Sequence, residues 1–413
     1  MASETNWAGN LRYRAQRVVE PVTIDELAAT IVGADRVRVR GTRHSFTDIA
    51  DTTGVHLSLA RMVDAPVLDP ETYTVSVPAA MRYGELAPWL HERGRALANL
   101  ASLPHISVGG AVATGTHGSG ERIGSLATQV AAVELIDGTG SHVGVARGDA
   151  DFDGTVVSLG ALGAVVRLEL DTVAAEPYGQ TVYEGVGWDA ALDGFDELQA
   201  SGDSVSLFTT WRSADAIDQV WVKSRRAAPD LTAFGGRPAD GARHPIPGVD
   251  PQPATEQGHV PGAWFDRLPH FRLAFTPSAG DELQSEYLLP RAEVREAVAA
   301  LRALADRIAP LLLVSEVRTV AADRLWLSSA YGTDVVAFHF TWRRDEQAVA
   351  ALLPAVEAAL PASARPHWGK VFTLSGADVR ARYPQWSAFA GLRARRDPEG
   401  RFANAWTDRL GLV

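Results

Sequence analysis

The 413-residue chain carries a formal net charge of −11 and not one cysteine, a length that suits two or three domains. Without thiols there is no disulfide, no cysteine-ligated zinc or iron–sulfur cluster and no cysteine nucleophile, and a reducing cytoplasm suits such a composition. The acidic balance argues against nucleic acid as a partner, since the one short basic run, Arg393 to Arg396, reads as a solvated helix face.

In chain order, Thr23 with Glu26 three residues on is a capping box, and Ile24, Leu27, Ala28 and Ile31 follow at helical spacing. Residues 36–40 alternate as a strand with Val37 and Val39 on one face, and Tyr73, Val75 and Val77 form another. Residues 83–93 read as a helix closed by Gly94. Asp137-Gly138-Thr139-Gly140 between residues 133–136 and 142–146 signals a hairpin, and residues 163–171 end the first block as a strand. A second block has strands at 205–211, 219–222, 282–289, 313–320 and 335–342. Its helices lie at 291–308 and 345–359, which implies an antiparallel sheet covered on one face. Residues 225–261, rich in Pro and Gly, read as a long surface excursion with the character of a lid. A helical tail from residue 376, with Trp386, Phe389, Trp406 and Leu410, packs back on the first block. The N-terminal residues lack the apolar stretch of a secretory signal, and no apolar run is long enough to span a bilayer. The expectation is a cytoplasmic monomer that does not enter a membrane.

Three segments carry chemistry. In Val39-Arg40-Gly41-Thr42-Arg43-His44-Ser45-Phe46 a strand runs into a glycine turn, whose successive N–H groups can cradle an anion. In ASLPHISVGGAVATGTHGSG (residues 101–120), Gly110, Gly115, Gly118 and Gly120 interleave with hydroxyl residues. This suits close backbone approach to a bulky ligand with many oxygens. The order G-x-x-G-x-G is not the dinucleotide fingerprint, and no Walker motif occurs, so neither a Rossmann domain nor a P-loop is expected. The third is GALGAVV at 160–166, a small-residue bend entering a strand.

Taken together and in this order, these segments resemble the FAD domain of the vanillyl-alcohol-oxidase-type flavoproteins. Later segments, SEVRTVAAD, FHFTW and RPHWGKVFT, resemble the substrate domain of the alditol-oxidase (xylitol-oxidase) family within that group, and DPEGRFANAW resembles the C-terminal signature of aldonolactone oxidases. The resemblance covers essentially the whole chain. It implies an α+β fold: a bipartite FAD-binding domain of the PCMH type, made of two α+β subdomains, plus a substrate domain with a large antiparallel sheet flanked by helices. The spans are 1–175 for the FAD domain, 176–375 for the substrate domain and 376–413 for a segment returning to the FAD domain.

The same resemblance implies FAD attached covalently to His44. Arg40, Gly41, Thr42, Arg43, Ser45 and Phe46 would wrap the cofactor, as would Ser102, Ser107, Gly110, Thr114, Gly115, Thr116, His117 and Gly118. Gly163 and Val165 lie toward the adenine, and His367 also borders the cofactor. Relatives usually have Gly where Arg43 stands, so Arg43 either sits without strain, weakens the tether, or offers charge to the pyrophosphate. The substrate set implied is Ser102, Glu316, Arg318, Thr341 and Lys370. Residues two apart on a strand share a face, which pairs Glu316 with Arg318 and His339 with Thr341. Lys370 and Arg318 are the cations that would ease loss of the hydroxyl proton and stabilise negative charge on reduced flavin, with His339 as base. No metal is expected. The expected reaction is FAD-dependent oxidation of the C1 hydroxyl of an alditol (xylitol, sorbitol, glycerol) to the aldose, with dioxygen reduced to hydrogen peroxide. The alternative is a sugar-lactone oxidase or dehydrogenase, and Ala101 stands where dioxygen would approach.

Overall fold

Runs rich in Val, Ile and Leu, punctuated by glycine turns, build three principal sheets in a computed structural model that describes residues 4–62, 64–275 and 281–412. The spans 1–175, 176–375 and 376–413 therefore include residues 1–3, 63, 276–280 and 413, which lie outside the described residues.

The first sheet is parallel: Val55–Leu57 lies between Arg17–Val19 and Val37–Val39. Helix Ile24–Val32 covers it with Leu27 and Ile31, which pack among Val37, Val55 and Leu57. Thr23 accepts from Glu26 N at 3.1 Å, but the Glu26 carboxylate accepts from Val22 N at 2.8 Å, one residue before the position a capping box requires. The second sheet is antiparallel, in the order Val67–Leu68, Thr74–Pro78, Gly163–Asp171, Val130–Asp137, His142–Ala146. Its expected hairpin forms because Asp137 Oδ1 accepts from Thr139 N at 2.9 Å and Ser141 N at 3.1 Å, while Gly140 takes φ +82°. Helix Tyr83–His91 is shorter than its expected span, and Gly94 follows at φ +69°.

The third sheet has eight antiparallel strands, in the order Arg237–Pro238, Gly179–Glu184, Gln219–Ser224, Ser204–Thr209, Leu312–Val320, Val335–Arg343, Glu282–Pro290, Arg365–Pro366. Helices Val294–Ala303 and Glu346–Ala359 cover one face, burying Val298, Leu301, Leu353 and Val356 against Val317, Phe338, Phe340 and Trp342. Each such side chain contributes roughly 1.5–3 kcal/mol by leaving water. The other face is left for polar residues. The helix expected across 291–308 is instead a 3-10 turn, Arg291–Glu293, then Val294–Ala303 and Ala305–Ile308, broken at Leu304 (φ −100°, ψ 4°). Strand Gly179–Glu184 was not expected. Its polar Gln180 and Thr181 are buried because residues 225–261 fold over them, Gln180 donating to Thr255 O at 3.1 Å. That excursion is largely exposed, as a surface excursion is, and its buried Phe234, Ala254 and Thr255 pack it onto the sheet.

The C-terminal helices Gly376–Arg382, Trp386–Arg396 and Ala405–Leu410 do return to the first block, with Trp386, Phe389 and Trp406 packed among Val75, Leu86 and Leu126. Arg393 corrects the solvated-face expectation: it is buried and faces buried Asp397 at 3.4 Å. Arg38, opposite Val37 and Val39, is 2% exposed. It donates to Leu159 O and Gly160 O at 2.8 Å, to Phe402 O at 3.0 Å and to Ile49 O, clasping both sheets of the first block and the tail. Among the described residues, no helix is long and apolar enough to cross a membrane.

Candidate active site

A cleft of about 910 Å³ runs from the loops of the first two sheets to the open face of the third. That is near the upper end for cofactor sites, roughly 300–1,000 Å³. Its first wall is mostly backbone and small side chains. Arg40, Gly41, Thr42, Arg43, His44, Ser45 and Phe46 line it where the parallel strand Val37–Val39 ends. Ser102, Ser107, Gly110, Thr114, Thr116 and His117 line it around helix Val108–Ala113, and Gly163 and Val165 lie at the start of Gly163–Asp171. Ala101 also lines it. Gly115 and Gly118 do not reach the wall. Gly115 turns the chain at φ +62°, and a Cβ on Gly118 would meet Leu100 O at 2.4 Å.

His44 is fixed from two sides. Its Nδ1 lies 3.0 Å from Thr42 Oγ1, and Trp7 stacks on the ring at 5.3 Å. Burial, reinforced by His105, Arg82 and Arg43, lowers its pKa to about 4, so the ring is neutral at neutral pH. Arg43 adopts φ +65°, the left-handed conformation that favours glycine. Its guanidinium donates to Glu4 Oε1 at 2.7 Å and Thr5 O at 3.2 Å. Phe46 N donates to Gly369 O at 2.7 Å, which ties the turn to the segment carrying Lys370.

The second wall is built of side chains. Alternation places Glu282, Gln284 and Glu286 on one strand, Val314, Glu316 and Arg318 on the next, and His339 and Thr341 on a third, all facing the cleft. Glu286 is its fully buried centre: Lys370 Nζ lies 2.6 Å from Oε2, and Arg318 Nη2 lies 3.0 Å from Oε1. His117 Nε2 stands 3.3 Å from Oε1, out of line for a hydrogen bond. Burial by itself would raise the Glu286 carboxyl, yet Lys370, His117 and Arg318 hold it well below the ordinary value. Glu316 is likewise held low against burial, by Arg318 at 3.5 Å and His270 at 2.9 Å. Arg318 Nη1 also donates to Ser102 Oγ at 3.3 Å, joining the two walls.

His339 and His367 are both kept neutral, first by burial and then by Lys370. Gln284 Nε2 donates to Glu282, so its Oε1 faces His339 Nε2 at 3.1 Å and that nitrogen carries the hydrogen. His339 Nδ1 is then a buried lone pair without a partner. His367 Nδ1 accepts from Gly369 N at 3.1 Å. The carboxylate of Glu286 with His117 and His367 has metal-like spacing. Two cations already neutralise that carboxylate, which disfavours a third.

The wall residues fit FAD. A Cβ at Gly41 would meet Ser107 Oγ at 2.7 Å and one at Gly110 would meet it at 2.9 Å, so the two glycines let a hydroxyl stand against the backbone at the cleft wall, where it can serve a ligand oxygen. Ser158 Oγ and His105 Nδ1 also line the cleft as buried polar atoms lacking a protein partner. Glu286, His270, Gln284 and Trp7 were not anticipated. An isolated Glu or His in an apolar strand or loop gives no periodic signal, although charge inside LQSEYLL on the Gln284 side of the strand marks Glu286 as buried and polar.

Family profiles match the FAD binding domain at residues 15–146 and D-arabinono-1,4-lactone oxidase at residues 281–410. The chain is 48% identical to alditol oxidase of a Streptomyces species over 97% of both proteins. It is 30% identical to L-gulono-1,4-lactone dehydrogenase of Mycobacterium tuberculosis over 98% of both. Its fold is similar to cholesterol oxidase from B. sterolicum (TM-score 0.77, 15% identity, 99% of this chain and 96% of that one). It is also similar to glucooligosaccharide oxidase from Acremonium strictum (TM-score 0.73, 16% identity, 97% and 93%). Identity of 48% along nearly the whole chain places this protein in the alditol-oxidase family of FAD-dependent, vanillyl-alcohol-oxidase-type oxidoreductases.

Proposed function

We propose that this enzyme oxidises the C1 hydroxyl of an alditol such as xylitol or sorbitol to the aldose while reducing dioxygen to hydrogen peroxide. The observation that carries this reading is the charged sheet face, Glu316, Arg318, Thr341 and Lys370 with Ser102, opposite a glycine-rich wall that fits FAD. Alternating donors and acceptors at that spacing match successive hydroxyls of an open-chain polyol. FAD, when bound, supplies the hydride acceptor and returns the electron pair to dioxygen. Lys370 and Arg318 place positive charge where the substrate oxygen sheds its proton, and His339 Nδ1 is the lone pair available to take it.

The cofactor is covalently attached through His44 in this proposal. In the tautomer that donates Nδ1–H to Thr42, His44 Nε2 holds a free lone pair, and a neutral ring is the nucleophilic form. The glucooligosaccharide oxidase carries a 6-S-cysteinyl, 8α-N1-histidyl FAD, whereas this chain has no cysteine and can form only the histidyl link. Residues 1–175 with 376–413 form the FAD domain and 176–375 the substrate domain, in a cytoplasmic monomer.

A second reading, a sugar-lactone oxidase or dehydrogenase, is favoured by the lactone-oxidase profile over residues 281–410. Oxygen uptake and peroxide release with xylitol, sorbitol and glycerol, against an aldonolactone, test the two. Faster turnover of the lactone overturns the alditol proposal.

A further inference from the structure

Behind Glu316 lies a buried pair that the reaction outlined above does not use. Lys223, on strand Gln219–Ser224, is 1% exposed and stands one strand removed from the strand of Glu316. Its Nζ reaches Leu268 O at 2.5 Å, Pro269 O at 3.0 Å and His270 Nδ1 at 3.0 Å. An ammonium has three hydrogens and no lone pair, so all three are spent on these acceptors. His270 Nδ1 must then accept, which puts the ring hydrogen on Nε2, and Nε2 donates to Glu316 Oε1 at 2.9 Å. Phe208 and Trp221 meet the imidazole edge-on at 5.4 and 5.6 Å, which opposes a ring flip. The backbone of His270 donates to Ser102 O at 3.2 Å, so the same segment is registered on the opposite wall.

We propose that Lys223 is a positioning residue that acts through His270 to hold Glu316 as a permanent hydrogen-bond acceptor. The site thereby selects substrates that present a hydroxyl hydrogen at that carboxylate. A cation on Nδ1 makes the Nε2–H a stronger donor, which keeps Glu316 ionised and fixes one of its oxygens. Arg318 and His339 face the same carboxylate and remain when Lys223 is removed. A carboxylate so held cannot serve as a donor to a carbonyl or ring oxygen. This inference rests on the reading of Glu316 as a polyol contact.

Burial draws Lys223 down to about 7 although Glu316 pulls the other way, so at pH 6 its ammonium predominates. In the holoenzyme at pH 6, Lys223→Met is expected to raise the KM for xylitol at least tenfold with kcat changed less than threefold. Reoxidation of the reduced enzyme by dioxygen is expected to stay unchanged. The acid limb of 1/KM is expected to move toward neutral pH as the Glu316 carboxyl loses its donor. An unchanged KM and pH profile overturns the proposal. Glu316→Gln is the control: if it leaves the xylitol KM unaltered, the polyol-contact reading fails, whereas a raised KM there with none in Lys223→Met sinks the relay alone. Should Lys223→Met not fold, 15N-histidine NMR of the unaltered holoenzyme decides. The Nε2–H tautomer is expected at His270, and the Nδ1–H form or an imidazolium overturns the assignment.

Discussion

The two walls of the cleft are made of different material. The wall of the first two sheets offers backbone N–H groups, hydroxyls, the imidazoles of His44, His105 and His117 and the guanidiniums of Arg40 and Arg43, laid out by contiguous stretches at 40–46 and 101–117. The wall of the third sheet offers the linked carboxylates of Glu286 and Glu316 with the cations Arg318 and Lys370; strand register brings the first three together, and the segment after Arg365–Pro366 brings Lys370. A phosphate-bearing cofactor that stays bound is served by many weak, fixed dipoles. A neutral polyol that must be recognised and then lose a proton is served by a few strong charges whose desolvation has already been met by their partners.

This contrast predicts failures of different kinds. On the first wall, His44→Ala is expected to abolish flavin retention by the denatured chain completely while the FAD-binding cleft persists. Acid precipitation followed by absorbance of the pellet measures it, and a yellow mutant pellet would remove His44 as the tether. On the second wall, Lys370→Met is expected to cut turnover more than tenfold and up to about 1,000-fold, since losing one electrostatic contact to developing charge typically costs about 100- to 1,000-fold. FAD content is expected to stay normal, because Lys370 belongs to the substrate face. Near-normal turnover, or loss of FAD along with activity, would break the division between the walls.

The same division explains what could be read from the sequence. Contiguous segments are the easier to read: the glycine–hydroxyl run suits a bulky ligand by itself, whereas the turn at His44 is a weak signal alone and was joined to it by resemblance to a family. The charged face was not visible by spacing. Glu316 and Arg318 share a strand face by simple alternation, but nothing local distinguishes them from a surface ion pair, and only resemblance to a family raised them. Glu286, the residue both cations touch, was missed because its partners lie 32 and 84 positions away. Element types were legible wherever apolar periodicity was strong. Gly179–Glu184 was hidden because its buried polar residues are satisfied by a distant loop, and the helix break at Leu304 has no glycine or proline to mark it.

Arg38 tests whether the first wall is a preformed scaffold. Its guanidinium spans four carbonyls from three segments, two of them on the adjacent Leu159 and Gly160, which both adopt positive φ (+55° and +63°). Arg38→Met keeps the apolar stem but strands those acceptors and removes one of the cations near buried Asp397, leaving Arg393 as its partner. The expected cost is about 3–5 kcal/mol, as for breaking a buried charged network. Denaturant unfolding followed by tryptophan fluorescence measures it, and a loss under 1 kcal/mol would mean that the two sheets of the first block need no clasp.

The smallest expected effect is the absence of one, and it concerns the second wall. Burial comes first among the causes that push the His339 imidazole well below the ordinary 6.5, with Lys370 and Arg318 adding to it and Glu286 and Glu316 opposing. A base is active when unprotonated, so lowering its pKa extends activity toward acid. As pH falls from 8 through 6.5, kcat is expected to stay level, declining only further down as Nδ1 gains its proton. A kcat limb centred near 6.5 that disappears in His339→Asn would show an imidazole exposed to water during turnover. The charges on this wall would then fail to control protonation, and the contrast with the glycine-rich wall would lose its chemical meaning.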